Sequence, residues 1–167
     1  MPTEEAGSDF PLLYERYRGL VRGVLFKLCG PSDLDDLVQE AFLRIWKGSP
    51  GFDRRSAFRT WVYAIVTHLA ADHFRRKGRR PSLAAVDPDS QRGTGGDDGA
   101  VNRDLVRRGL LQLSEEHRTA LVLHLYEGLS VEEISEATAS KAGTVKSRLH
   151  YARLAMAQFL ESQGVNV

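Results

Sequence analysis

Residues 130–160 read SVEEISEATASKAGTVKSRLHYARLAMAQFL, and the fold turns on how this stretch is interpreted. Ser130 followed three residues later by Glu133 has the pattern of a capping box, in which a hydroxyl and a carboxylate satisfy the orphan amides of a helix start. It opens a short helix over Val131–Thr138. Ala139, Ser140 and Lys141 then make a turn, and Val145, Leu149, Ala152 and Met156 recur at helical spacing along a longer second helix. Two helices joined by a tight turn form a helix-turn-helix, with this apolar seam expected to pack against Leu129 and Ile134. The opposite face carries Lys146, Ser147, His150 and Arg153, with Thr144, Arg148 and Tyr151 beside them. No acid occurs from Lys141 to Leu160, whereas the preceding helix holds Glu132, Glu133 and Glu136. That asymmetry is the footprint of a helix lying in a phosphate-lined groove. Lys and Arg neutralise phosphates or donate to guanine edges, while Ser, Thr144 and His150 make shorter contacts. A solvated amphipathic helix explains the charges, but not their coincidence with the cap and the turn.

Upstream, a helix from about Leu105 to Leu113 leads to Ser114, a helix start for Glu115–Tyr126, which Gly128 stops. Before that, PSLAAVDPDSQRGTGGDDGA over 81–100 loses all apolar periodicity and reads as a flexible linker. The chain on its N-terminal side is helical again. Leu34, Val38, Ala41, Phe42 and Ile45 form one stripe behind candidate N-caps Ser32 and Asp33. Phe58, Val62, Ile65 and Leu69 form another, with Trp61 and Tyr63 beside it and Ser56 as a possible cap. An earlier helix spans about Leu12 to Leu28, and KGSPGFDRRS over 47–56 is too rich in Gly and Pro to be helical. There is no internal repeat.

The chain has 167 residues, 42% of them hydrophobic, which suits one ordinary domain or two small ones with packed cores. A formal net charge of +1 hides local asymmetry. The single cysteine, Cys29, excludes an intrachain disulfide and a Cys-rich zinc site, and reads as a small buried hydrophobe. Acids at the N-terminus argue against a signal peptide, and no apolar run reaches membrane-spanning length, so a cytoplasmic location with no membrane partner is expected. No phosphate-cradling Gly-rich loop or nucleophile elbow is present, and His68, His73, His117, His124 and His150 lack partners for zinc or triad chemistry. The expectation is a non-enzyme with no catalytic residues, no metal and no cofactor.

The segments SDLDDLVQEAFLRIWK and FRTWVYAIVTHLAADHFRRKGRR, followed by the linker and LSEEHRTALVLHLYEGLSVEEISEATASKAGTVKSRLHYARLAM, resemble the extracytoplasmic-function (group 4) sigma factors of bacterial RNA polymerase, in the sigma-70 family. The resemblance implies an all-α fold of two small helical domains. Sigma region 2 would span 8–80, a flexible linker 81–101, and sigma region 4, with its helix-turn-helix, 102–162. It implies that Asp36, Gln39 and Glu40 bind core RNA polymerase; their spacing also puts them on one polar face opposite Val38, Phe42 and Ile45. It implies minus-ten recognition and melting by region 2, a task needing apolar walls, polar groups for a base edge and cations for the strand. The candidates are Phe52, Asp53, Arg54, Trp61, Ile65, His68, Arg75, Arg76, Lys77, Arg79 and Arg80, although Trp61 also reads as core. Thr144, Lys146, Ser147, Arg148, His150, Tyr151 and Arg153 would read the minus-thirty-five element. Core polymerase, promoter DNA and an anti-sigma factor are the implied partners. The family usually has Asn where this chain has His68, and often Gly where it has Ala139.

Two other readings stay open from the residues alone. One is a helix-turn-helix regulator acting without polymerase, its N-terminal unit serving dimerisation or sensing. The other is a metal-dependent nucleic-acid hydrolase using Asp33, Asp35, Asp36 and Glu40, for which nothing supplies a second ligand set.

Overall fold

The computed structural model describes residues 10–53, 55–78 and 98–166. Seven α-helices occur among them: α1 (Phe10–Cys29), α2 (Leu34–Gly48), α3 (Phe58–Lys77), α4 (Asp98–Gln112), α5 (Glu115–Leu125), α6 (Val131–Thr138) and α7 (Ala142–Ser162). Most of the expected linker lies outside the described residues. Its last positions, from Asp98, belong to α4, which starts earlier than the expected Leu105.

In the N-terminal half, α1 buries Leu13, Tyr17, Val21, Val24, Leu25 and Leu28 at spacings of three and four, against matching stripes of α2 and α3. The entry to α2 differs from expectation. Asp33 sits in the left-handed region at φ 58° and its side chain caps nothing; its carboxylate pairs instead with Lys77 at the far end of α3. That partner holds the Asp33 carboxyl below its ordinary range. Likewise Ser56 does not cap α3, whose N-cap is Ala57 in extended backbone without a side-chain bond. The loop expected at 47–56 is partly ordered: α2 continues through Gly48 and a 3-10 turn follows over Ser49–Gly51, with Pro50 inside it where its missing N–H costs nothing.

In the C-terminal half the caps form as expected. Ser114 Oγ accepts from His117 N at 3.4 Å. Ser130 Oγ accepts from Glu133 N at 3.1 Å, while Ser130 N donates to Glu133 Oε2 at 2.8 Å. Gly128 adopts φ 71° behind α5, a conformation costly for any residue with a Cβ. Val145, Leu149 and Ala152 of α7 are buried against α5 and α6, and Met156 is half-buried toward α4.

The two halves share one continuous apolar core. α3 lies against α6, and α1 against α5 and α4. Polar links cross this junction. Tyr63 donates through its hydroxyl to Glu127 Oε2 at 2.7 Å, Thr67 Oγ1 donates to Ala137 O at 3.1 Å, and Lys27 Nζ lies 3.7 Å from Glu127 Oε1. Arg118 is the largest fully buried side chain, 1% exposed. Its guanidinium donates to Leu110 O at 2.8 Å, Leu113 O at 3.1 Å and Leu111 O at 3.4 Å, at the end of α4. A fourth bond reaches Leu28 O near the end of α1 at 2.5 Å, and Phe74 of α3 lies beneath, 5.4 Å from the ring centroid. Carbonyls at two helix C-termini, each a partial negative charge, thus replace a carboxylate counter-ion. Burial lowers the Arg118 pKa, yet a guanidinium stays charged. Cys29 is close by, and burial pushes its thiol up to about 12, as expected for a structural residue rather than a reactive one.

Candidate nucleic-acid interface

The turn between α6 and α7 is built from short polar bonds. Ala139 ends α6 in the left-handed region at φ 50°, where the family pattern's glycine would be unstrained. Ser140 N donates to Ser135 O at 3.1 Å and Ser140 Oγ to Thr138 O at 3.3 Å. Ser135 Oγ donates to Ser140 O. From α7, Arg148 Nη1 donates to Ser140 Oγ at 2.8 Å. With the apolar seam facing α5 and α6, the outer face of α7 is left to solvent. Thr144, Lys146, Ser147, His150, Tyr151 and Arg153 are all exposed, and Arg148 alone of the expected set is half-buried. The His150 and Tyr151 rings meet edge-on, centroids 5.3 Å apart.

On α3 the candidates divide between two environments. Phe52 is half-buried in an aromatic cluster, its centroid 5.2 Å from Phe58 and 5.5 Å from Trp61. Trp61 presses so closely on α2 that a Cβ at Gly48 would meet its ring at 2.7 Å. Trp61, Ile65 and His68, spaced by four and three, share a side of α3; the first two are half-buried and His68 is exposed. Ile65 was expected in the buried stripe. The buried positions of α3 are instead Phe58, Thr60, Val62, Tyr63, Val66, Thr67, Leu69 and Ala70, on a helix packed against α1, α2 and α6, with Tyr63 and Thr67 bonded across the junction. Asp53 is exposed and pairs with Arg55 at 2.9 Å. Arg75, Arg76 and Lys77 are exposed in the last turn of α3, where cations also suit the negative helix end; Arg75 pairs with Asp72 and Lys77 with Asp33. Arg54, Arg79 and Arg80 lie outside the described residues.

On α2, Asp36 and Gln39 are exposed and Glu40 is half-buried, accepting from Arg44 Nε at 2.9 Å. Arg44 also reaches Asp72 of α3 at 3.2 Å, bracing the two helices. The same side continues into two large exposed apolar residues that the sequence reading missed: Leu43, 50% exposed, and Trp46, 54% exposed. Their signal was present, since both fall off the buried stripe of α2. The four carboxylates considered for a metal do not converge, because Asp33 pairs with Lys77, Asp35 with Arg22 and Glu40 with Arg44. Among the described residues, no group of three His, Cys, Asp or Glu is arranged to hold a metal ion.

The two expected DNA-reading sets meet. His68 from α3 and Ser140 and Arg148 from the helix-turn-helix line one cleft of about 190 Å³, with Glu115 and Glu116 on its wall. Half-burial and the neighbouring Glu116 raise the Glu115 pKa. No helix among the described residues is long and apolar enough to cross a membrane.

A family model described as Sigma-70 region 2 matches residues 13–80, and one described as Sigma-70, region 4 matches residues 103–156. The chain is 33% identical over 162 residues to an ECF RNA polymerase sigma-E factor of Haemophilus influenzae, covering 86% of this chain and 83% of that one. It is 32% identical over 166 residues to the RNA polymerase sigma-H factor of Pseudomonas aeruginosa, covering 91% and 86%. The fold is similar to that of a sigma factor, RpoE, solved with the anti-sigma factor NepR from Bartonella quintana, with a TM-score of 0.72, 23% identity and coverage of 92% and 97%. It is also similar to CnrH, solved with the cytosolic domain of CnrY, at a TM-score of 0.68, 22% identity and coverage of 92% and 88%.

Proposed function

The chain belongs to the extracytoplasmic-function sigma factors of the sigma-70 family, and from that premise we propose how its residues divide the task of directing promoter-specific transcription initiation. Residues 8–80 act as region 2 and 102–162 as region 4, joined by 81–101. Asp36, Gln39 and Glu40 dock on core polymerase, and Leu43 and Trp46 extend that contact with apolar area. The aromatic cluster of Phe52 and Trp61, with Asp53, Ile65 and His68, forms the wall against which an unstacked base of the minus-ten element is held. Arg75, Arg76 and Lys77, with Arg54, Arg79 and Arg80, neutralise the displaced strand. The outer face of α7 enters the major groove at the minus-thirty-five element, where Lys146, His150 and Arg153 stand one turn apart along it. Polymerase supplies the bond chemistry; the sigma factor contributes only binding energy, in the cytoplasm where core polymerase and promoters are found. An anti-sigma protein is a further partner, in keeping with the complex of the sigma factor RpoE with the anti-sigma factor NepR.

Promoter binding requires the halves to part. Elements that lie about 25 base pairs apart are separated by about 85 Å at 3.4 Å per base pair, while His68 and Arg148 line the same cleft. From Gly78 to Asp98 the chain has 98 − 78 = 20 residue steps, a reach of about 70 Å when extended. Together with the widths of the two halves, that is enough to bridge the elements.

The observation that carries this reading is the presence in one chain of the polar α2 face, flanked by exposed Leu43 and Trp46, and a capped helix-turn-helix with an acid-free outer face. A regulator acting alone would leave the α2 face and the aromatic cluster without a task. The test is run-off transcription with purified core polymerase on a promoter library. Templates that initiate only when the chain is added are expected; no gain over core alone on any template would overturn the proposal.

A further inference from the structure

Arg148 stands on the reading helix but does not behave like its neighbours. Six other candidates on α7 project into solvent, whereas Arg148 is half-buried and spends a guanidinium donor on Ser140 Oγ at 2.8 Å. That hydroxyl also donates its proton onward to Thr138 O. Ser135, from the middle of α6, donates to the carbonyl of the same Ser140. Two side chains, one from α6 and one from α7, therefore converge on Ser140 in the turn. They flank Ala139, whose left-handed backbone a residue with a Cβ keeps only when its surroundings hold it there. The apolar seam below, of Val145, Leu149 and Ala152, makes contacts that have no preferred direction. Hydrogen bonds are directional.

We propose that Arg148 is a positioning residue: it fixes the crossing angle of α6 and α7 through Ser140, so that Lys146, His150 and Arg153 meet the DNA, and makes no phosphate or base contact itself. This rests on the reading of α7 as the minus-thirty-five helix. The seam lies wholly within the C-terminal half, so it survives separation of the halves. The proposal also accounts for the tolerance of alanine at 139, because the bonds around the turn supply the restraint that glycine would make unnecessary.

The experiment uses holoenzyme, formed from full-length chain and core polymerase, on a promoter fragment selected from a random library by the wild-type holoenzyme. Binding is measured over a salt series. Removing a phosphate contact lowers the slope of log affinity against log salt by about 1, and this is expected for Lys146→Ala. Arg148→Ala is expected to weaken binding about tenfold at every salt concentration, with an unchanged slope and an unchanged base preference. Arg148→Lys, which keeps a donor for Ser140, should recover part of the loss. Ser140→Ala should reproduce the Arg148→Ala defect, and the double variant should be no weaker than either single one. Ser140→Ala deletes only a hydroxyl, so it keeps the test open if Arg148→Ala folds poorly. A slope lowered by about 1 in Arg148→Ala, a changed base preference at one minus-thirty-five position, or additive effects of the two substitutions would each overturn the proposal. If Lys146→Ala also changes neither affinity nor slope, the assignment of α7 falls and the inference falls with it.

Discussion

Glu127 accepts two of the polar links across the junction between the halves, from Tyr63 and Lys27, and Glu127→Ala should shift the chain toward a parted form. Its carboxylate receives the hydroxyl of Tyr63, a residue 1% exposed, at 2.7 Å. A hydrogen bond to a charged group contributes about 1.5–3 kcal/mol. Lys27 lies 3.7 Å away, and the side chains are 28% and 13% exposed; a partly screened pair of this kind adds about 0.5 kcal/mol. Arg59 continues to donate to the Tyr63 oxygen, at 2.9 Å, but the Tyr63 hydroxyl proton loses its acceptor. The total comes to about 2–3.5 kcal/mol, or a shift of about 30–370-fold in the ratio of closed to parted forms. The measurement is single-molecule energy transfer on the free full-length chain, with dyes at exposed Arg18 of α1 and Gln158 of α7. A new low-transfer population should grow in Glu127→Ala and remain smaller in Tyr63→Phe, which keeps Lys27 on Glu127. Affinity of the holoenzyme for promoter DNA should rise in parallel, because binding then carries less of the cost of opening. An unchanged transfer distribution in Glu127→Ala, with secondary structure intact, would refute the reasoning, since it would mean that the apolar core alone holds the halves together.

Ser130→Ala removes the capping-box hydroxyl bonded to Glu133 N and should cost about 1 kcal/mol of stability, measured by thermal unfolding, together with weaker promoter binding. Leu43→Asp changes a side chain that is 50% exposed, so the melting temperature should stay put while affinity for core polymerase falls; equal affinity would remove Leu43 from the docking face. Cys29, pushed up to about 12, should react slowly with a disulfide reagent at pH 8 in the wild type and faster in Glu127→Ala. Because its folded pKa lies above the ordinary 9.0, its contribution to stability is whole below pH 9.0 and is lost as pH rises toward about 12, which a denaturation series across that window reads directly.

What the chain discloses before folding is mostly local. The Ser130–Glu133 box, the Ser114 cap and the limits of α6 are set by contacts within four residues, so a linear reading reaches them. The misplaced features have distant causes. Asp33 resembles a cap but is drawn away by Lys77, 77 − 33 = 44 residues later. Ile65 fits the apolar stripe, but α3 is packed on two sides, toward α1 and α2 and toward α6, which blurs its periodicity and turns Tyr63 and Thr67 inward. Spacing placed Asp36, Gln39 and Glu40 on one face; it did not mark Leu43 and Trp46, because an apolar residue in a helix reads as core until the core is known to be complete without it. Arg148 reads as a DNA contact on charge alone, and its bond to Ser140 depends on how the turn closes.

Arg118 crosses the junction by a bond to main chain rather than to a carboxylate. Three of its four carbonyl partners belong to its own half, and the fourth, Leu28 O, belongs to the other. Had that last acceptor been a carboxylate, parting the halves would strand a buried countercharge and open a wide kinetic barrier. A main-chain oxygen at the end of α1 passes to water at little net cost, and the cation keeps its remaining bonds in place. The junction is thus crossed at this point by a bond whose loss strands no opposite charge.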